Sequence, residues 1–141
     1  MKDNFIISDD KSKLDIQVIH RYLSERSYWG KGRTLETVHI SIKNSKCFGM
    51  YDQYEKLVGF ARVVTDHAIF AYIMDVFILE EHRGQGLGKR LIEYIMNFPE
   101  LKNIKRWQLV TDDAHKLYQK YGFKALEAPE KHMERVLKGA R

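Results

Sequence analysis

The sequence predicts a mixed α/β fold: one mixed, mostly antiparallel twisted sheet with helices on both faces. Two observations carry this expectation. Strand-like segments first succeed one another through short turns and later alternate with helical patterns. Between Asp75 and Met96, DVFILEEHRGQGLGKRLIEYIM, the apolar period changes from that of a strand to that of a helix across a glycine-rich turn. With 141 residues and 44% hydrophobic composition the chain is the size of one domain, residues 1–141, able to bury a proper core.

The elements follow in order. Asn4–Ile7 reads as a first strand, and Lys13–Ser24 as a helix with Leu14, Val18, Ile19 and Tyr22 on one side. Ser27–Arg33, rich in Gly, Lys and Arg, is a loop carrying Tyr28, Trp29 and Arg33, in which Trp29 beside Gly30 and Gly32 reads either as part of a mobile binding lip or as an aromatic that packs a helix end. Thr34 caps a second helix that carries Leu35, Val38, His39 and Ile42 along one side. Strands are predicted at Lys46–Tyr51, Lys56–Val64 and Ala68–Leu79, with turns around Gln53 and Asp66. Leu87, Leu91, Ile95 and Phe98 mark the next helix, Ile104–Val110 a further strand and Met133–Leu137 a last one. Asp112 or Asp113 can cap a short helix whose Ala114, Leu117, Tyr118 and Tyr121 share one face and which Gly122 stops.

The turn from Arg83 to Gly88 carries the chemistry. Three glycines let the backbone approach a ligand closely and present successive N–H groups at a helix N-terminus, where the dipole favours an anion. A Walker A loop fails, because Gly88-Lys89 is followed by Arg90 rather than Ser or Thr. A dinucleotide fingerprint fails as well: the spacing is G-x-G-x-G, and Trp107, Gln108 and Leu109 stand where an acidic ribose ligand belongs. Arg83-Gly84-Gln85-Gly86-Leu87-Gly88 instead resembles the [Q/R]-x-x-G-x-[G/A] signature of the GNAT superfamily of N-acetyltransferases. Ala114-His115-Lys116-Leu117-Tyr118-Gln119-Lys120-Tyr121-Gly122-Phe123 is similar to that superfamily's later A-x-x-L-Y-x-K-x-G-F helix. Together they cover roughly Phe70 to Phe123, in the family's order.

The resemblance implies an acetyl-CoA-dependent N-acetyltransferase that moves an acetyl group to a primary amine by direct attack. It implies two central parallel strands, Met74–Leu79 and Lys105–Val110, that splay apart to admit the pantetheine arm. The cofactor contacts it implies are Val76, Phe77 and Ile78 on the strand, Arg83, Gly84, Gln85, Gly86, Leu87, Gly88 and Lys89 on the loop, and Tyr118. The Val76 N–H would donate to the thioester carbonyl, and Tyr118 would protonate the departing thiolate. Tyr72 stands where many relatives carry a glutamate base, so the base is unassigned. Asp75, an acid in an apolar strand, is either an amine-binding or base group or a carboxylate satisfied by its neighbours. Trp29, Tyr72, Asp75 and Thr111 form the implied acceptor side; His39 and His115 titrate in a useful range but read as surface or hydrogen-bonding histidines.

The remaining features narrow the alternatives. A net charge of +5 fits an anionic cofactor as well as nucleic acid, and the basic residues gather on the glycine loop rather than on an aromatic-studded face, so no specific nucleic-acid partner is expected. The single Cys47 excludes an intrachain disulfide, reads as a core thiol rather than an acyl carrier, and no zinc-ligand spacing is present. Met1–Lys13 lacks a signal-peptide core and Ala68–Leu79 is too short for a membrane span, so a cytoplasmic protein is expected. The competing class is a CoA-binding sensor domain without turnover, which Tyr118 disfavours. Pairing through C-terminal strands makes a homodimer a reasonable expectation from the resemblance.

Overall fold

The computed structural model describes residues 4–138. Five strands form one sheet in the order β1 to β5: β1 Ile6–Ser8, β2 Lys46–Tyr51, β3 Leu57–Thr65, β4 Phe70–Ile78 and β5 Arg106–Leu109. The first four pair antiparallel in chain order, and β5 runs parallel to β4. Short turns account for the meander. Asp52 Oδ1 accepts the Tyr54 and Lys56 N–H groups in one turn, and Asp66 Oδ1 accepts those of Ala68, Ile69 and Phe70 in the next. These backbone donors hold the Asp66 carboxyl below its ordinary range. That turn holds Ala68 and Ile69, so β4 starts not at Ala68 but at Phe70, where pairing with Arg106 begins.

Alternation along the strands separates two apolar layers. On one face α1 (Ile16–Arg21) and α2 (Leu35–Lys43) bury Ile19, Val38 and Ile42 with Cys47, Tyr51, Phe60 and Phe77. On the other, α3 (Leu87–Met96) and α4 (His115–Gln119) bury Leu87, Leu91, Ile92, Ile95 and Tyr118 with Phe48, Met50, Val58, Ala61 and Val63. Thr34 caps α2 as expected, its hydroxyl accepting from Thr37 N at 3.1 Å.

Four expectations need correction. The first strand begins two residues later than Asn4. The helix expected over Lys13–Ser24 is divided: a 3₁₀ turn at Lys11–Lys13 is capped by Asp10, α1 by Asp15, and Tyr22–Arg26 continues as a π turn. Two aspartates that each capture an N–H interrupt the helix the apolar period alone would allow. Neither Asp112 nor Asp113 caps α4; Thr111 Oγ1 accepts the Ala114 N–H at 3.1 Å. Met133–Leu137 is not a strand. Met133, Val136 and Leu137 are 97%, 65% and 78% exposed, so this segment lays no apolar face on the sheet that would hold it there. No helix among the described residues is long and apolar enough to cross a membrane.

Two irregularities of β4 shape the site. Phe60 pairs with Phe77 and Arg62 with Met74, so Asp75 and Val76 together oppose Ala61 in a bulge, with Asp75 at φ +55°. On the other side, the β4–β5 ladder runs from Phe70–Arg106 to Ile73–Leu109 and ends there. Among the described residues Met74–Ile78 therefore has no strand beside it on that edge: the two parallel strands part where the bulge begins.

Candidate active site

A cavity of about 720 Å³ occupies the parting of β4 and β5. Its floor is Tyr72–Ile78 of β4, one wall is Ala114, Leu117 and Tyr118 with Thr111, and the other is Tyr28 and Trp29. At one end it opens onto the glycine loop, where Gly84, Gly86, Leu87 and Gly88 line it.

The loop leaves room and backbone N–H groups open at the cavity's end. Gly84 and Gly86 take φ of +84° and +78°, a left-handed backbone that other residues adopt at a cost, and a Cβ at either would meet nothing within 4 Å. Gly86 is the N-cap of α3, and the first turn holds no acidic side chain and no side-chain cap, so its leading N–H groups have no competing carboxylate. Arg83 lines the cavity, but its Nε donates to Ile78 O at 3.1 Å and its terminal nitrogen to the Tyr22 hydroxyl, which ties the loop to the end of β4. Tyr22 stacks on Phe77 with centroids 4.1 Å apart. Gln85 and Lys89 are exposed and lie off the cavity wall; Gln85 Nε2 donates to His82 O.

Tyr118 is 7% exposed, on the α4 face turned to the cavity, and its ring meets Phe123 edge-on. Burial pushes its phenol up to about 12, and Tyr28 and Asp113 push in the same direction. The hydroxyl is thus a neutral donor through the physiological range. Burial likewise raises the Cys47 thiol to about 11, which makes it a poor nucleophile. His39 and His115 are exposed and lie outside the cavity wall.

Asp75 is 5% exposed and fully engaged. Its Oδ1 accepts from Trp29 Nε1 at 2.9 Å, and its Oδ2 from Arg33 and from Arg62 Nε, each at 2.9 Å. Arg62 also donates to Ser45 Oγ at 2.9 Å. The Ser27–Arg33 segment is no free lip. Gly30 N donates to Ser27 Oγ, Gly32 N to Ser24 O, and His20 Nε2 meets Arg33 O at 3.0 Å.

All four residues expected on the acceptor side, Trp29, Tyr72, Asp75 and Thr111, line the cavity, as do Val76, Phe77 and Ile78. Tyr28, in the loop that the resemblance sets beside the acceptor pocket, lines it too, whereas sequence reasoning missed Tyr22, Arg26 and His82, which also line it. For Tyr22 the only available signal was an aromatic in an apolar helical stripe; its stack on Phe77 depends on a π turn that periodicity does not reveal.

Comparison with known proteins agrees with this geometry. The acetyltransferase (GNAT) domain model matches residues 43–125. A GNAT-family protein of Xanthomonas campestris pv. campestris, known from its crystal structure, is 44% identical with a TM-score of 0.92, covering 96% of this chain and 94% of that one. A chloroplastic GCN5-related N-acetyltransferase of Arabidopsis thaliana is 40% identical over 78 residues, 55% of this chain, which spans only 30% of that protein's length. A Mycobacterium tuberculosis protein solved in complex with CoA shares the fold alone, at 15% identity and TM-score 0.71 over 86% of this chain and 73% of its own. On the family match and the near-complete superposition, this chain belongs to the GNAT family of acetyltransferases.

Proposed function

We propose that the chain is a single-domain enzyme that takes an acetyl group from acetyl-CoA and delivers it to a primary amine, on a small molecule or a peptide, by direct attack. The observation that carries this reading is the continuity of one cavity from the uncapped N-terminus of α3, through the parting of β4 and β5, to Tyr118. The residues fit CoA: Gly84, Gly86 and the first turn of α3 offer room and N–H donors to a pyrophosphate, and the unpaired edge of Met74–Ile78 offers backbone partners to an extended amide arm. When bound, the thioester supplies an activated acetyl group.

The chain's own part is positioning, charge stabilisation and one proton. The Val76 N–H, at the bulge, would donate to the carbonyl oxygen as negative charge grows there. The Tyr118 hydroxyl would give its proton to the leaving sulfur; with burial pushing its pKa up to about 12, it carries that proton throughout the physiological range. Asp75 is not the base, since three donors occupy its oxygens. The amine enters as its free base; its nitrogen becomes cationic on attack and sheds a proton to solvent as the amide forms, which balances the proton that Tyr118 gives the sulfur and then regains from solvent. A buried free Cys47 accords with a reducing, cytoplasmic setting.

The test is a screen of amines with acetyl-CoA, following release of free thiol. Transfer to at least one amine class, saturating in both substrates, is expected. CoA binding without turnover on any amine would make the chain a sensor domain instead.

A further inference from the structure

The Asp75 cluster joins parts of the chain that have no local reason to meet. Trp29 and Arg33 come from the loop after α1, Arg62 from β3, and Asp75 itself from the bulge of β4. Asp75 is 5% exposed, and its side chain only 1%. A carboxylate so buried must be paired, and here Oδ1 accepts from the loop's Trp29 while Oδ2 accepts from both the loop's Arg33 and the sheet's Arg62. Arg62 is itself held by Ser45, so the cluster is anchored to the sheet while Trp29 and Arg33 are what it holds in place. Trp29 in turn meets Tyr28 edge to face, with centroids 5.0 Å apart, and both line the cavity. The next residue after Asp75 is Val76, whose N–H the proposed chemistry uses. One side chain thus fixes the acceptor wall to the backbone step where the acetyl carbonyl would lie.

We propose that Asp75 is a positioning residue that latches the Trp29–Tyr28 wall onto the β4 bulge and so sets where an acceptor amine stands relative to the Val76 N–H. This rests on the acetyl-transfer reading for its consequence but not for its geometry. An acceptor that fits such a wall carries its amine on a largely aromatic or apolar body with at most one polar contact, because the latched surface is two rings whose indole N–H is spent on Asp75 and whose remaining side-chain polar group is the Tyr28 hydroxyl. Acceptor binding depends on the latch; CoA binding, made at the other end of the cavity, does not.

The test uses the Trp107→Phe background, in which Trp29 is the only tryptophan of the two in the chain. Adding Asp75→Asn removes the charge and leaves one oxygen for three donors. Acrylamide quenching of Trp29 should rise, the acceptor KM should increase by on the order of tenfold or more, and kcat and CoA affinity should stay within about threefold. A collapse of kcat with unchanged KM and unchanged quenching would make Asp75 a reacting group and overturn the latch. If Asp75→Asn does not fold, Arg33→Met with the same quenching measurement decides, since it releases one side of the latch; unchanged Trp29 quenching there overturns it as well. Trp29→Phe, which keeps a ring and removes the N–H, should raise the acceptor KM while preserving CoA affinity. Should the wild-type chain acetylate no amine, the functional reading fails, and the quenching still reports on the latch.

Discussion

The two ends of the cavity are built from different materials. The glycine-loop end is backbone: left-handed glycines, an uncapped helix start and a strand edge left open, all within Met74–Leu87. The Trp29 end is side chains, a buried carboxylate drawing in partners 46, 42 and 13 positions away. A site made of backbone must place glycine at fixed spacings, so it leaves a local trace in the sequence. A site made of distant side chains leaves none. The difference also suits the chemistry proposed, in which the donor is always the same molecule and the acceptor is what distinguishes one enzyme from another.

This contrast explains what the sequence disclosed. The strands β2, β3 and β4 and the α3 start at Leu87 were legible because alternation, glycine and the helical period are local signals, whereas α4 ends at Gln119, before the left-handed Gly122 expected to stop it. Thr34 was legible as a cap for the same reason. The division of the first helix at Asp15 and the π turn at Tyr22–Arg26 were not, because side-chain capture of backbone N–H groups competes with an apolar stripe that reads as one helix. Nor was the fate of Met133–Leu137 visible, since its composition suits a strand but no partner edge holds it. Asp75 could be flagged as an acid needing partners, yet nothing local named Arg62, Arg33 or Trp29.

The contrast can be broken by substitutions at either end. The largest effect belongs to the side-chain half: Arg62→Met should cost about 3 kcal/mol of stability, because it deletes one of the two buried arginine partners of Asp75 together with the Arg62–Ser45 bond, leaving Arg33 alone against the buried charge. Thermal unfolding checks this, and a loss below about 1 kcal/mol would mean the cluster is not a structural anchor.

Next comes chemistry. Tyr118→Phe keeps the ring and should lower the transfer rate by about 10²-fold, with CoA affinity and thermal stability little changed. Single-turnover measurements give the answer, and activity within about twofold of wild type would return the proton to water. The same phenol sets a pH signature. Its pKa in the folded chain is about 12 against an ordinary value of 10.0, so the neutral form is favoured by folding. That contribution is fully present below pH 10 and is lost as pH rises through about 12, so stability should fall across this window and fall less in Tyr118→Phe. The rate should correspondingly climb with deprotonation of the amine, with no alkaline limb from Tyr118 below about pH 10. A limb near neutrality that vanishes in Tyr118→Phe would contradict this assignment.

A smaller effect is expected at a purely structural position. Thr34→Ala deletes the α2 cap and should cost about 1 kcal/mol by denaturant unfolding, with no change in CoA binding. It calibrates how much an ordinary local loss moves either end.

The separation of the two ends is tested most directly by calorimetric titration of CoA into wild type, Gly86→Val and Trp29→Phe. Gly86→Val forces a branched residue into a left-handed backbone and adds atoms where the pyrophosphate would sit, so affinity should fall by at least about tenfold in a folded protein. Trp29→Phe should bind CoA within about twofold of wild type. Unchanged CoA affinity in folded Gly86→Val, or an equal loss in both variants, would contradict a backbone-built donor site that stands apart from the acceptor wall.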